Sequence, residues 1–122
     1  GRVDDAIIRG GFKVQPETVK SALERHPAVR EAAVAPLPDD RLGFVPVAAV
    51  ELEPGAEVDG EELRRFCRDV LLPYEVPAHV VVLDALPRTP SQKVSRVELL
   101  ELIEASLGRD GLASGNTGRR LP

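Results

Sequence analysis

The 122-residue chain carries a formal net charge of −4, and it is 43% hydrophobic but only 3% aromatic. This length supports one compact domain with a modest core, and the acidic balance with few stacking rings argues against nucleic-acid binding. No apolar run approaches membrane-spanning length and no basic-then-apolar leader opens the sequence, so we expect a cytoplasmic protein without a transmembrane segment.

The first predicted elements are a hairpin and a helix. Residues 5–9 and 12–15 have the pattern of two short strands, and they are joined at Gly10 and Gly11. Two glycines permit the positive backbone angles that a tight hairpin turn requires. A helix is predicted to follow over residues 16–26, which begin with a proline suited to the first helical position and end before another proline.

Three further strands are predicted in the middle of the chain. Residues 29–35 and 44–52 read as strands on either side of the turn-rich segment 36–43, which contains two prolines, two aspartates and a glycine. Residues 79–84 are dominated by a run of valines. A continuous apolar run is typical of a strand that is central or covered on both faces.

Two helices carry a recognisable start signal. Asp59 is the expected N-cap of the second helix, with Glu62 placed to return the hydrogen bond, and Ser95 with Glu98 repeats this pattern at the third. Apolar residues recur at three- and four-residue intervals along the second helix and include Cys67. Because Cys67 is the single cysteine, an internal disulfide is excluded, and we interpret it as a buried small hydrophobe.

These elements predict a small α+β domain over residues 1–108. It combines an N-terminal two-stranded hairpin with a mainly antiparallel three-stranded sheet, packed with three helices. The third helix is expected to end at Gly108. Residues 109–122 are rich in small polar residues and lack an apolar period, so we expect a disordered tail.

A connector at residues 86–96 suspends Lys93 just ahead of the third helix. Pro87 and Pro90 keep this segment extended, so the ammonium group is presented by a stiffened loop. A compact cation on a long stem suits phosphoryl or nucleotidyl transfer between two domains. We interpret Arg88 as a residue that fixes the loop or covers apolar surface with its stem.

Two motifs connect the chain to a known family. GRVDDAIIRGGFKVQPE at residues 1–17 and LPRTPSQKVSR at residues 86–96 resemble, in order and spacing, motifs of the small C-terminal domain of adenylate-forming enzymes. That superfamily includes acyl-CoA synthetases, adenylation domains of peptide synthetases and firefly-type luciferases. The resemblance runs over residues 1–107. Gln92 departs from the pattern, because glycine commonly precedes the lysine there.

The resemblance implies an acid–CoA ligase of the fatty or aromatic acid class. In this family a carboxylic acid is adenylated with ATP, and the acyl group then passes to the thiol of CoA after the C-terminal domain rotates. Lys93 matches the catalytic lysine of adenylation. Asp4 matches the hinge residue, and Arg2 matches an arginine that contacts the nucleotide.

The resemblance also assigns the hairpin to the second half-reaction. After rotation the hairpin would replace Lys93 at the active centre, and Gly10 and Gly11 would line the passage for the thioester-forming thiol. Gly11 lacks a side chain, so its backbone could approach the passage closely. Lys13 would then meet a phosphate of CoA or of the adenylate.

The implied cofactors and partners lie mainly outside this chain. No glycine-rich nucleotide cradle, metal cluster or nucleophile with its base is evident, so the isolated domain is expected to be inactive. The resemblance implies ATP with Mg²⁺ and CoA, bound mainly through a large N-terminal domain of the same polypeptide, with a carboxylic acid as substrate. On this interpretation the chain is an excised or proteolysed C-terminal lid, or a domain made deliberately.

Two alternatives remain open from the sequence. One is an adenylation domain that loads a pantetheine tethered to a carrier protein. The other is a non-catalytic α+β interaction domain, which a buried ion pair at Lys93 would favour, as would a hairpin packed into the core.

Overall fold

The computed structural model describes residues 6–113 of the chain and the side chains of residues 6–108. The strands are β1 (Ile7–Arg9), β2 (Phe12–Val14), β3 (Val29–Asp39), β4 (Gly43–Leu52) and β5 (His79–Leu83). The helices are α1 (Pro16–Glu24), α2 (Gly60–Val70) and α3 (Arg96–Ala113), and a 3-10 turn follows α2 at Pro73–Glu75. The sheet has the order β2-β1-β4-β3, with β5 paired to β4.

Strand β4 is the centre of the domain. It pairs with β3 in antiparallel orientation and with β5 in parallel orientation. Residues 45–50 of β4 are all buried. Such an uninterrupted apolar run is typical of a strand with both faces covered, and β4 therefore fixes the positions of the segments attached to its two ends.

Helices cover both faces of the sheet. One buried cluster joins α1 and α2 to the sheet through Val19, Leu23, Leu63 and Cys67. A second cluster on the other face is built around Leu99 and Ile103 of α3. Residues of β4 alternate between the two clusters, which gives a three-layer arrangement. The following residues of β4 belong to the first cluster (Ala48 and Val50) and to the second (Val45, Val47 and Ala49).

The predicted helix starts are confirmed. The Glu62 N–H donates to Asp59 Oδ1 at 2.8 Å, and the Glu98 N–H donates to Ser95 Oγ at 3.4 Å. Each bond satisfies a backbone donor that the first helical turn leaves without a partner. The predicted end of the third helix is five residues early, because α3 continues from Gly108 to Ala113. Residues 114–122 of the predicted tail lie outside the described residues.

The segment expected as a loop at residues 36–43 is mostly strand. β3 continues to Asp39, with Pro36 opposite Pro46 and Pro38 opposite Phe44 in the ladder. Proline cannot donate to a ladder, but an edge strand tolerates it where the missing N–H faces away from the partner. Within the described residues β3 pairs only with β4, so Pro36 and Pro38 lie on an edge strand, whereas Pro46 lies on the central strand β4.

The α+β class is confirmed, with a larger sheet than expected. The hairpin joins the sheet through a pairing of Arg9 with Gly43, so the hairpin and the remaining strands form one sheet. In the part of the chain that is described, none of the helices is long and apolar enough to cross a membrane.

Candidate functional site

The Lys93 connector, which ends at residue 95 because α3 begins at Arg96, is a small closed loop over residues 86–95. The Thr89 N–H donates to the Lys93 carbonyl at 2.7 Å, and the Lys93 N–H donates to Thr89 Oγ1 at 3.3 Å. The Ser95 N–H donates to the Pro87 carbonyl at 2.9 Å, and Arg88 forms an antiparallel bridge with Val94. The backbone of Lys93 is thus fixed on both sides, while the residue itself is exposed.

The residue before Lys93 has an unusual backbone conformation. Gln92 has a φ of 72°, in the left-handed region that non-glycine residues adopt at a cost of about 1–2 kcal/mol. Its N–H donates to the Thr89 carbonyl at 2.8 Å, so the turn is closed despite this conformation. A glycine at this position would adopt the same φ without this cost.

Two contacts attach the connector to one end of the sheet. Arg88 Nη2 pairs with Glu31 Oε1 near the start of β3. The Leu86 N–H donates to Glu51 Oε1 near the end of β4 at 3.2 Å. Glu31 and Glu51 are themselves partners in the ladder, so the connector is attached at the end of the sheet where β4 ends.

The glycine hairpin, formed by β1, β2 and the turn at Gly10 and Gly11, lies at the other end of β4. The Gly10 N–H donates to the Leu42 carbonyl at 2.8 Å. Gly10 has a φ of +60°, and a Cβ there would lie 3.3 Å from Leu42 Cδ2. A Cβ on Gly11 would meet no atom within 4 Å. The domain therefore requires glycine at position 10 and imposes no steric requirement for it at position 11.

The two segments are far apart. The hairpin meets β4 at Gly43 and the connector meets it at Glu51, and these two residues are separated by eight positions along the strand. At about 3.3 Å per residue this separation is roughly 26 Å. The connector and the hairpin are therefore attached to β4 at two well-separated points.

Lys93 and the hairpin do not have the surroundings that would favour a non-catalytic domain. Both Gly10 and Gly11 are exposed rather than packed into the core. Lys93 is exposed too, and among the described residues no carboxylate lies within ion-pair distance of its ammonium. Lys13 is exposed on β2 opposite Ile8. Arg2 and Asp4 lie outside the described residues.

Sequence reasoning missed a cavity beside the hairpin. Its volume is about 340 Å³. Its lining includes the guanidinium-bearing residues Arg9, Arg64 and Arg68, and we call it the arginine cavity. Arg9 Nη1 donates to the Val76 carbonyl at 2.8 Å, whereas Arg64 and Arg68 both contact Glu61. Three of the five lining residues are arginines and none of the five is acidic, so the lining itself carries an excess of positive charge. The full lining is Arg9, Arg64, Arg68, Pro73 and Val76.

An aromatic pair lies next to the arginine cavity. Phe12 and Tyr74 are stacked with ring centroids 4.6 Å apart and an interplanar angle of 19°. Phe12 is 57% exposed. In sequence, Tyr74 lies between Pro73 and Val76, which both line the cavity. The only sequence signal for this site was the four-residue spacing of Arg64 and Arg68, which places both on one face of α2.

Cys67 and Asp39 are two of the titratable groups whose pKa values are shifted. Burial raises the pKa of the Cys67 thiol to about 11, with a smaller opposing effect from Arg64, and Cys67 is confirmed as a buried core residue. At the hairpin end, hydrogen bonds from the backbone N–H groups of Leu42 and Arg41 lower the pKa of the Asp39 carboxyl below 3.8. Asp39 Oδ1 accepts both bonds at 2.9 Å.

The fold and these segments define an α+β domain that presents a lysine connector and a glycine hairpin at opposite ends of one central strand. Residues 18–93 match the model of the AMP-binding enzyme C-terminal domain. The chain belongs to this family, which confirms the resemblance stated from the two motifs.

Known proteins of similar sequence and structure are CoA ligases and a related synthetase. The chain is 45% identical to 2-succinylbenzoate–CoA ligase of Geobacillus kaustophilus, over 84% of this chain and 21% of that protein. It is 40% identical to 4-chlorobenzoate–CoA ligase of a Pseudomonas species, over 87% of this chain and 20% of that protein. The solved structure of an amide bond synthetase from Marinactinospora thermotolerans matches 84% of this chain and 21% of that chain, with 36% identity and a TM-score of 0.76. The chain thus spans about a fifth of the length of these relatives.

Proposed function

We propose that this domain is the C-terminal catalytic lid of an acid–CoA ligase, which adenylates a carboxylic acid with ATP and then forms the acyl-CoA thioester. The observation that carries this proposal is the placement of the Lys93 connector and the glycine hairpin at opposite ends of β4. Two exposed segments that are attached to β4 at points roughly 26 Å apart suit two half-reactions in which the domain presents a different end to one active centre.

Lys93 would serve the first half-reaction. A carboxylate oxygen attacks the α-phosphorus of ATP, the new oxygen–phosphorus bond forms, and pyrophosphate leaves with its electron pair. The Lys93 ammonium would lie between the carboxylate and the α-phosphate, where it lowers the repulsion between two anions and stabilises the charge of the transition state. Its exposure and the fixed backbone around it support this role.

The glycine hairpin would serve the second half-reaction. The thiol sulfur of CoA loses its proton and attacks the acyl carbon, the bond to the AMP oxygen breaks, and AMP leaves. Gly11 would line the thiol passage, with Gly10 shaping the turn. The open space around Gly11 supports this role, because no atom of the described residues would lie within 4 Å of a Cβ at that position.

The arginine cavity and the aromatic pair favour CoA as the acceptor. CoA carries a phosphorylated adenosine, whereas a pantetheine tethered to a carrier protein does not. Guanidinium groups bind phosphates through paired hydrogen bonds, and an exposed aromatic ring stacks on a purine. Arg9, Arg68 and Phe12 fit these two demands beside the hairpin. Lys13 would add a further cation for a phosphate from the exposed side of β2.

The remaining assignments stand as proposals from the family resemblance. Asp4 is proposed as the hinge of the rotation and Arg2 as a nucleotide contact. ATP with its Mg²⁺ is proposed to bind mainly on a large N-terminal domain, which would also hold the acid. Relatives named for 2-succinylbenzoate and 4-chlorobenzoate favour an aromatic acid as substrate.

The proposal is tested by replacing Lys93 in the complete ligase. We expect Lys93→Ala to lower acid-dependent pyrophosphate exchange by at least roughly 100-fold, because a positioned charge facing the transition state is lost. Lys20→Ala is the matched control, because it removes the same charge from α1, the helix that packs on the sheet through the first buried cluster. Unchanged exchange in the Lys93 variant would overturn the proposed function.

A further inference from the structure

Arg88 makes two contacts that connect the sheet to the backbone of the Lys93 connector. Its Nη2 pairs with Glu31 Oε1 on β3, 57 positions away in sequence. Its Nη1 donates to the Gln92 carbonyl at 3.3 Å, and that carbonyl belongs to the peptide unit that leads into Lys93. One planar guanidinium group thus joins the sheet to the residue directly before the lysine.

These contacts complete the fixation of the backbone around Lys93. The N–H and the carbonyl of Lys93 are bonded to Thr89, and the preceding carbonyl is bonded to Arg88. Gln92 is held in a left-handed conformation with a φ of 72°. A conformation of this kind persists where surrounding contacts fix it, and the Arg88 contact is one of those at this position.

Stability alone does not account for the pair. The side chains of Arg88 and Glu31 are each 32% exposed, and ion pairs at such partly exposed sites contribute about 0–1 kcal/mol. The Lys20 and Glu24 pair on α1 has nearly the same exposure, at 34% and 29%, and contacts no part of the connector. The Arg88–Glu31 pair differs from the Lys20–Glu24 pair because Arg88 also contacts the backbone of the connector.

We propose that Arg88 is a positioning residue for adenylation, anchored to β3 by Glu31, and that it sets the position from which Lys93 reaches the reacting carboxylate and phosphate. This inference rests on the proposed function, because it gives Arg88 a role only where Lys93 acts. Arg88 itself touches no reactant. Its effect would pass through the Gln92 carbonyl to the backbone of Lys93.

The first test separates the half-reactions in the complete ligase. We expect Arg88→Met to lower the kcat of adenylation by roughly 10-fold to 100-fold, since small misplacements of a catalytic group have effects of this size. The KM values for ATP and the acid should stay within about twofold, and thioester formation from preformed adenylate should keep its rate. Glu31→Gln should change the same step in the same direction but less.

Lys20→Met is the matched control, because it breaks an ion pair of similar exposure on α1 and should leave adenylation unchanged. Equal loss of both half-reactions in Arg88→Met would assign Arg88 to general stability and overturn the inference. Unchanged adenylation would overturn it as well. If Lys93→Ala leaves adenylation intact, the proposed function itself is wrong. If adenylation requires Lys93 but is unchanged in Arg88→Met, only the inference about Arg88 is wrong.

A second test uses the 122-residue chain alone and needs no enzymatic activity. We expect Arg88→Met to speed hydrogen exchange at the Gln92 and Lys93 amides, while the amide of Val50 in the core keeps its wild-type protection. Unchanged exchange at both connector amides would show that Arg88 does not fix this backbone and would overturn the inference whatever the ligase does.

Discussion

At one end of β4 side chains attach the Lys93 connector to the sheet, whereas at the other end a backbone hydrogen bond holds the turn of the glycine hairpin. Contacts of Arg88, Glu31 and Thr89 fix the connector, and the exposed ammonium of Lys93 is the group that the connector presents. The hairpin depends on the left-handed conformation of Gly10 and its bond to Leu42, and it presents a turn without side chains. The same sheet thus offers a charge at one end and open space at the other.

This difference separates what the domain requires from what a partner requires. Gly10 is needed by the turn itself, since its φ is positive and its neighbour is close. Gly11 and Lys93 are exposed, and among the described residues no atom lies within 4 Å of a Cβ on Gly11 and no ion pair includes Lys93. This exposure agrees with the proposed roles at an active centre completed by another domain.

The largest effect on stability is expected at Gly10. Gly10→Ala places a Cβ on a residue with a φ of +60°, which costs about 1–2 kcal/mol for an L-residue. Gly11→Ala is the matched control on the neighbouring residue and should change stability by no more than about 0.5 kcal/mol. Urea unfolding of both variants measures the difference. Equal costs would contradict the distinction between the two glycines.

A smaller effect is expected from acid at the hairpin end. Because the pKa of Asp39 is lowered in the folded chain, its contribution to stability is complete above its ordinary pKa of 3.8 and is lost as the pH falls through the folded value. Asp39 accepts from the N–H of Leu42, whose carbonyl accepts from Gly10. Protection of the Gly10 amide should therefore decrease in this acidic range.

The Asp39→Ala variant tests the cause of this acid effect. It should show weaker protection of the Gly10 amide at neutral pH and no further decrease linked to this carboxyl. The amide of Val50 in the buried part of β4 is the internal control, because Val50 lies in the core and away from the Asp39 turn. A parallel decrease at Val50 would indicate general acid unfolding and contradict a local effect.

Local patterns predicted the elements well because each start signal acts within a few residues. Asp59 and Ser95 cap helices as expected, and Cys67 is buried as its spacing indicated. Strand β3 is longer than predicted, because Pro36 and Pro38 are compatible with an edge strand. Whether a strand lies at an edge depends on the whole sheet, which local sequence does not show.

The candidate site was predictable only where residues are adjacent in sequence. Lys93 and the two glycines stand in continuous motifs, so the chain itself indicates them. The arginine cavity joins Arg9 of β1 to Arg68 of α2, and the anchor of Arg88 lies on β3. Such contacts arise from packing between distant elements, and no local spacing encodes them.

If the two ends of the domain act in different half-reactions, Gly11→Leu should impair only the second of them. In single turnovers of the complete ligase, we expect this variant to form the adenylate at the wild-type rate. Transfer to CoA should fall by roughly 100-fold, because a side chain would enter the thiol passage. Equal loss of both steps, or normal transfer to CoA, would contradict the account.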